Sequence, residues 1–253
     1  MHSMPPNSRH TCDIAAFARE RLGFHPDPGQ TRALDPYIRR GLLNCCRQWG
    51  KSTTVSVRAV HQAIHEPGSL TIAASPSERQ SAEFVRKAKD FLGLLGVAHG
   101  GDGANTISVV LRNGSRIVGL PGREGTIRGF SNVSLLLIDE ASRVPGELYQ
   151  AVRPMIATNP KAAIWLMSTP NGRQGFFYDE WTAGGPEWTR IEAPATGCPR
   201  IPADFLEEER RHLTDQMFRQ EYLCEFLAAD HAYFDPEAID AAFRCHEDHN
   251  DDL

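Results

Sequence analysis

The residues best suited to chemistry are Cys45-Cys46-Arg47-Gln48-Trp49-Gly50-Lys51-Ser52-Thr53. The run ends as a phosphate-binding loop (Walker A) ends, in Gly-Lys-Ser. In such a loop the backbone N–H groups face the anion, the lysine neutralises the β and γ phosphates, and the hydroxyl reaches a divalent cation. The beginning departs from the pattern G-x-x-x-x-G-K-[ST], because Cys45 stands where the first glycine belongs. Arg47 and Gln48 fill positions that usually hold small or neutral residues. Gly-Lys-Ser alone is also a common surface turn, so its surroundings decide its meaning.

A second cluster is Leu135-Leu136-Leu137-Ile138-Asp139-Glu140. Four apolar residues followed by two carboxylates have the form of a Walker B strand. Asp139 would then hold Mg²⁺, with Ser52 as the other protein ligand, and Glu140 would polarise the attacking water as general base. Taken alone, the run also reads as a buried strand that ends at an acidic helix cap, since Ala141-Ser142 follow. A third cluster, Ser168-Thr169-Pro170, closes the next apolar run. In helicase-like ATPases such a tripeptide senses the γ phosphate and couples hydrolysis to movement; in isolation it is an ordinary turn. Upstream, the Gln30 amide could pair with an adenine edge or simply face solvent at a helix start.

These side chains need elements to position them. Gly41–Cys45 is short and apolar, as a buried strand is, and Ser52–Ile64 reads as the helix that follows the loop. Hydroxyls at that helix start sit where free N–H groups and the dipole favour phosphate. Further strands are predicted at 69–74, 134–138 and 162–167. Helices are predicted at 14–22, 30–40, 77–95 and 145–155. Asn113-Gly114 marks a hairpin between 106–112 and 116–120. After Gly175 come an aromatic run at 176–181, an edge strand at 188–193, helices at 202–213 and 214–226, and a short helix at 234–243. Buried strands alternating with helices predict an α/β domain with a largely parallel central sheet flanked by helices.

The chain has 253 residues, 41% of them hydrophobic, with a net charge of −5. That is enough to bury a substantial core, and the acidic balance argues against a protein that coats nucleic acid over its whole surface. No apolar run approaches a membrane span, and the polar start at 1–12 reads as a flexible tail without a signal core. The six cysteines lie at 12, 45, 46, 198, 224 and 245 without a C-x-x-C pair, as reduced intracellular thiols do. Cys245-His246-Glu247-Asp248-His249 contains metal-ligand types but reads as a frayed acidic terminus.

Three motifs together resemble the ATPase domain of phage terminase large subunits, the DNA-packaging motors of tailed bacteriophages and prophages. They are Cys46-Arg47-Gln48-Trp49-Gly50-Lys51-Ser52, Leu136-Leu137-Ile138-Asp139-Glu140-Ala141 and Met167-Ser168-Thr169-Pro170-Asn171-Gly172. Ser75–Ser81, Gly125–Phe130 and Phe218–Phe226 are similar to further segments of that family. The resemblance implies a P-loop NTPase of the RecA/ASCE-like type over 13–234, with a nucleotide core at about 30–175 and a helical closing segment at about 200–234. It implies ATP and Mg²⁺ as cofactors, nucleotide contacts from Gln30 and 46–53, and Arg47 acting in cis on the γ phosphate beside Lys51. Ser168 and Thr169 become coupling residues. Arg128 becomes a trans-acting or coupling arginine, or else a salt-bridged surface residue. The implied partners are double-stranded DNA, a portal, a small terminase subunit and a homo-oligomeric ring, in the cytoplasm of a bacterial host. The RNase H-like nuclease of complete large subunits is not expected from this chain, whose 235–253 form a short C-terminal segment. A helicase-like ATPase and a non-catalytic prophage remnant that binds nucleotide or DNA are the alternatives.

Overall fold

A computed structural model describes residues 13–103, 107–121 and 129–228. Its elements in chain order are α1 (Ile14–Leu22), α2 (Pro28–Ala33), β1 (Arg40–Cys45), α3 (Lys51–His65), β2 (Leu70–Ser75), α4 (Glu78–Leu94), β3 (His99–Gly100), β4 (Ser108–Leu111), β5 (Arg116–Pro121) and β6 (Leu135–Asp139). There follow α5 (Gly146–Val152), β7 (Ala163–Ser168), α6 (Gly175–Thr182), β8 (Thr189–Ala193), α7 (Ala203–His212) and α8 (Asp215–Leu223).

The strands form one eight-stranded sheet in the order β3-β4-β5-β2-β6-β7-β1-β8. From β5 to β8 in that order every neighbouring pair is parallel, and the antiparallel pairs are β3–β4 and β4–β5. Strands buried on both faces read as continuous apolar runs, which is why β2, β6 and β7 are visible in the sequence. Alternate side chains serve opposite faces. Leu43, Leu137, Trp165 and Met167 pack on the side of α1, α3 and α4, while Leu42, Leu136, Ile138, Ile164 and Leu166 pack on the side of α5 and α6. Gly41 is required where β1 crosses Trp165, because a Cβ there would collide with the indole.

The sheet order positions the site. Strand β7 lies between β6 and β1, with Asp139 beside Met167 and Asn44 beside Ser168. The C-terminal ends of three strands therefore bring the loop, the two carboxylates and Ser168-Thr169 to one edge of the sheet.

Two expectations need correction. The predicted helix at 30–40 is only Pro28–Ala33. Pro36 restricts Asp35 before it and has no N–H to continue the ladder, so the chain turns and enters β1. No strand is predicted between the helix at 77–95 and the hairpin, yet the chain after α4 contributes the short strand β3. The 188–193 segment is an edge strand, parallel to β1. The N-terminal tail, the helix expected at 234–243 and the acidic terminus lie outside the described residues.

Candidate functional site: a phosphate cleft

The loop between β1 and α3 is fixed from behind. The N–H of Cys46 donates to the Ala193 carbonyl of β8 (3.0 Å), and that of Arg47 donates to the Glu221 carbonyl of α8 (3.0 Å). The Trp49 carbonyl accepts from Gln30 Nε2 (2.9 Å) and Arg200 Nη2 (2.6 Å). Arg200 also pairs with Asp27 at 2.9 Å. The Trp49 indole is buried against Gly29, where a Cβ would stand only 3.2 Å from the ring. Two residues carry the positive φ the turn needs, Gln48 at 60° and Gly50 at 92°. Glycine suits the second, since a side chain there would be strained and would approach Gln30.

Cys46, Trp49 and Gln30 were expected to touch nucleotide. Their side chains are buried behind the loop. The Gln30 amide is engaged at both ends, since its Oε1 accepts from the Asp27 N–H at 3.1 Å. With one donor and one acceptor position so engaged, it braces the loop from behind. Thr53 sits half-buried in the first turn of α3 and does not line the cleft. Arg128 lies outside the described residues.

The chemistry-bearing groups do converge. Lys51 Nζ lies 2.7 Å from Glu140 Oε1, and Ser52 Oγ donates to Asp139 Oδ2 at 2.9 Å. Glu140 is held at φ 51°, a left-handed conformation uncommon for a side chain of this size. Such local strain turns the carboxylate back toward Lys51 just beyond the strand end. Burial pushes the Asp139 carboxyl above the ordinary aspartate range, against the opposing pull of Lys51 and the Ser52 hydrogen bond. Burial works the other way on the Lys51 ammonium, but the surrounding acidic groups, Glu140 and Asp139 among them, outweigh it and hold Lys51 above the usual lysine value. Burial also raises the Cys45 thiol far up and the Cys46 thiol to about 12, so both are neutral thiols at physiological pH.

Above these pairs opens a cleft of about 370 Å³ lined by loop residues together with Gln80, Lys87, Glu140, Arg143, Thr169 and Glu221. Arg47, Lys51, Lys87 and Arg143 face two carboxylates there, so the lining is net cationic, as a polyphosphate site requires. Arg47 is largely exposed, with Nε 3.7 Å from Glu221. Ser168 is fully buried, and its hydroxyl meets Ser142 Oγ at 2.6 Å. Thr169 Oγ1 accepts from Arg143 at 3.0 Å. Sequence reasoning passed over Gln80, Lys87, Arg143 and Glu221. Gln80 and Glu221 lie within the family-like segments Ser75–Ser81 and Phe218–Phe226, and Arg143 stands three residues past Glu140, but the partners of these side chains could not be read from spacing.

The oxygens of Ser52 and Asp139 suit Mg²⁺, a hard cation held by one or two protein ligands plus phosphate and water. They already share a hydrogen bond, so both point to one spot. Among the described residues no group of three or more His, Cys, Asp or Glu could hold a metal.

A family model described as "Terminase large subunit, T4likevirus-type, N-terminal" matches residues 42–240. The chain belongs to this terminase family. The terminase large subunit of Thermus virus P23-45 is 23% identical over 252 residues, covering 85% of this chain and 51% of its own length. This chain thus spans about half the length of that curated relative. The large terminase ATPase domain of Thermus phage P74-26 superposes with a TM-score of 0.73 at 21% identity, covering 89% of this chain and all of that one. The large terminase of a thermophilic bacteriophage, solved in complex with ADP, gives a TM-score of 0.63 at 11% identity over 91% of this chain and 57% of its own. The fold is therefore the P-loop ASCE fold of terminase ATPase domains. Among the described residues no helix is long and apolar enough to cross a membrane.

Proposed function

We propose that this chain is the ATP-hydrolysing motor domain of a DNA-packaging terminase, coupling hydrolysis to translocation of double-stranded DNA into a phage capsid. The convergence of Lys51 with Glu140 and of Ser52 with Asp139, the latter pair 87 residues apart in sequence, supports it most directly. The large terminase of the thermophilic bacteriophage, which shares the fold, was solved with ADP and with ATP-γ-S, and this supports ATP as the nucleotide.

Each residue has a role in this reading. First-turn N–H groups of α3, which lack helical partners, receive the phosphates. Lys51 turns from Glu140 to the β and γ phosphates. Glu140, relieved of that cation on one oxygen, accepts a hydrogen bond from water and aligns it for attack. Arg47 swings from Glu221 over the γ phosphate and stabilises the charge of the transferring group. Ser52 Oγ and the Asp139 carboxylate would hold Mg²⁺, which would supply further charge neutralisation on the phosphate oxygens. Ser168 and Thr169 carry the change in phosphate state toward the DNA-gripping surface. Arg128 serves as the trans-acting or coupling arginine of a homo-oligomeric ring. That ring works with a portal and a small terminase subunit in the cytoplasm of the bacterial host.

The test is steady-state phosphate release with Mg²⁺-ATP, with and without double-stranded DNA, from wild type, Arg47→Ala and Glu140→Ala. Wild type should turn over, and both variants should lose at least about a hundredfold. Wild-type release no faster than that of the variants under every condition would overturn the ATPase reading.

A further inference from the structure

One arginine outside the named motifs joins three elements of the cleft. Arg143 follows Glu140 by three residues, in the short 3-10 turn Ala141–Arg143. Its Nη1 donates to Glu140 Oε2 at 3.2 Å and to Thr169 Oγ1 at 3.0 Å. Its Nη2 donates to Glu221 Oε1 on α8 at 3.1 Å. Glu221 in turn faces Arg47 through its other carboxylate oxygen, and its backbone carbonyl holds the Arg47 N–H. One guanidinium thus joins the proposed base, the proposed sensor threonine and the closing helix.

The two oxygens of Glu140 are held differently. Oε1 meets Lys51, which nucleotide phosphates would draw away, whereas Oε2 meets Arg143, which faces Glu221 and Thr169 on its other sides. A carboxylate released at both oxygens would rotate freely about its side-chain bonds, and alignment of the attacking water would be lost. A carboxylate released at one and forked at the other keeps its orientation. The planar fork of arginine can hold three acceptors in one plane, which a lysine cannot do.

We propose that Arg143 is a positioning residue. It holds Glu140 in its hydrolytic orientation after Lys51 has turned to the phosphates, and through Glu221 it makes that orientation depend on α8 being seated. This rests on the ATPase reading above. It carries a consequence for control: any partner or DNA contact that lifts α8 removes Glu221 from Arg143 and slows the chemical step without touching the phosphate loop.

The experiment uses the whole chain and four variants: Arg143→Ala, Arg143→Lys, Glu221→Gln and the double variant Arg143→Ala/Glu221→Gln. Nucleotide affinity is measured by titration with a fluorescent ATP analogue, turnover by phosphate release, and α8 seating by amide hydrogen exchange over 215–223. Arg143→Ala should lower kcat about tenfold to a hundredfold while affinity changes less than about threefold. Arg143→Lys should recover part of kcat. Glu221→Gln should lower kcat by a smaller factor, and the double variant should be no slower than Arg143→Ala, because both act through one contact chain. Exchange over α8 should rise in Arg143→Ala before nucleotide is added. Equal losses in kcat and affinity, additive losses in the double variant, or unchanged α8 exchange would each overturn the inference. A wild type that hydrolyses ATP beside an equally fast Arg143→Ala would sink this inference alone, whereas a wild type without hydrolysis would sink it together with the ATPase reading.

Discussion

Helix α3 carries two cations, one half-buried and one buried, with opposite environments. At its first residue, Lys51 meets the Glu140 carboxylate, with the charge of Asp139 nearby, and is held above its ordinary pKa. Two turns further on, Arg58 is only 5% exposed and meets backbone carbonyls: Asp35 at 2.8 Å, Ile38 at 2.9 Å and Ala33 at 3.3 Å. Its guanidinium also lies 5.2 Å over the Trp165 ring. Burial pulls Arg58 down to about 10, which still leaves it charged at neutral pH. Carbonyls on fixed backbone cannot be exchanged for a ligand. A side-chain carboxylate at the rim of a cleft can. The same helix therefore uses one cation to lock the turn between α2 and β1 and holds the other against a carboxylate that a ligand can displace.

The largest expected effect breaks the exchangeable end. Lys51→Ala should lower phosphate release at least about a hundredfold, while calorimetric stability shifts by about 1–2 kcal/mol at most, since Arg143 still pairs with Glu140. The next breaks the fixed end. Arg58→Ala leaves three carbonyls short of donors, that of Ala33 buried and those of Asp35 and Ile38 half-buried, and a void beside Trp165. It should cost about 2–4 kcal/mol in urea unfolding, with turnover per folded molecule retained. Similar losses of both properties in both variants would erase the distinction.

A smaller effect concerns Asp139. Its folded pKa is raised, so in the nucleotide-free protein the ionised carboxylate costs stability. That cost is absent below the ordinary aspartate pKa and grows as pH rises through that value, levelling off above the raised one. Asp139→Asn should therefore melt a few degrees higher than wild type at neutral pH without nucleotide. The gap should shrink as the pH falls toward the ordinary aspartate value, and the variant should lose Mg²⁺-dependent turnover. Stability gained by removing a metal ligand is the usual mark of a functional charge. The smallest effect is at Gln30. Gln30→Ala should lower stability by about 1 kcal/mol through the lost bonds to Trp49 and Asp27. The preference for ATP over GTP should stay within about twofold, whereas an adenine-reading glutamine would make that preference collapse.

The sequence carried the site's skeleton because its signals were local. Gly50-Lys51-Ser52 after an apolar strand, and Asp139-Glu140 at the end of another, each read within one element. What stayed hidden depended on contacts distant in sequence. Arg143 meets Thr169 and Glu221 at separations of 26 and 78 residues, and Gln30 meets Trp49 at 19. No periodicity encodes such pairs. The inward direction of the Cys46 and Trp49 side chains was hidden for a related reason. A loop motif names positions along the chain, but the tight turn sends successive side chains to opposite sides, and these two face the core. The helix predicted at 30–40 failed because pattern outweighed Pro36, whose missing N–H ends the ladder.

The central claim is that Glu140 performs the chemical step in a cleft whose binding is carried by other groups. Glu140→Gln keeps the shape and removes the charge, so ATP binding and phosphate release measured on the same preparation test it most directly. The account predicts affinity within about threefold of wild type and release at least about a hundredfold slower. A glutamine variant that releases phosphate at the wild-type rate would contradict it.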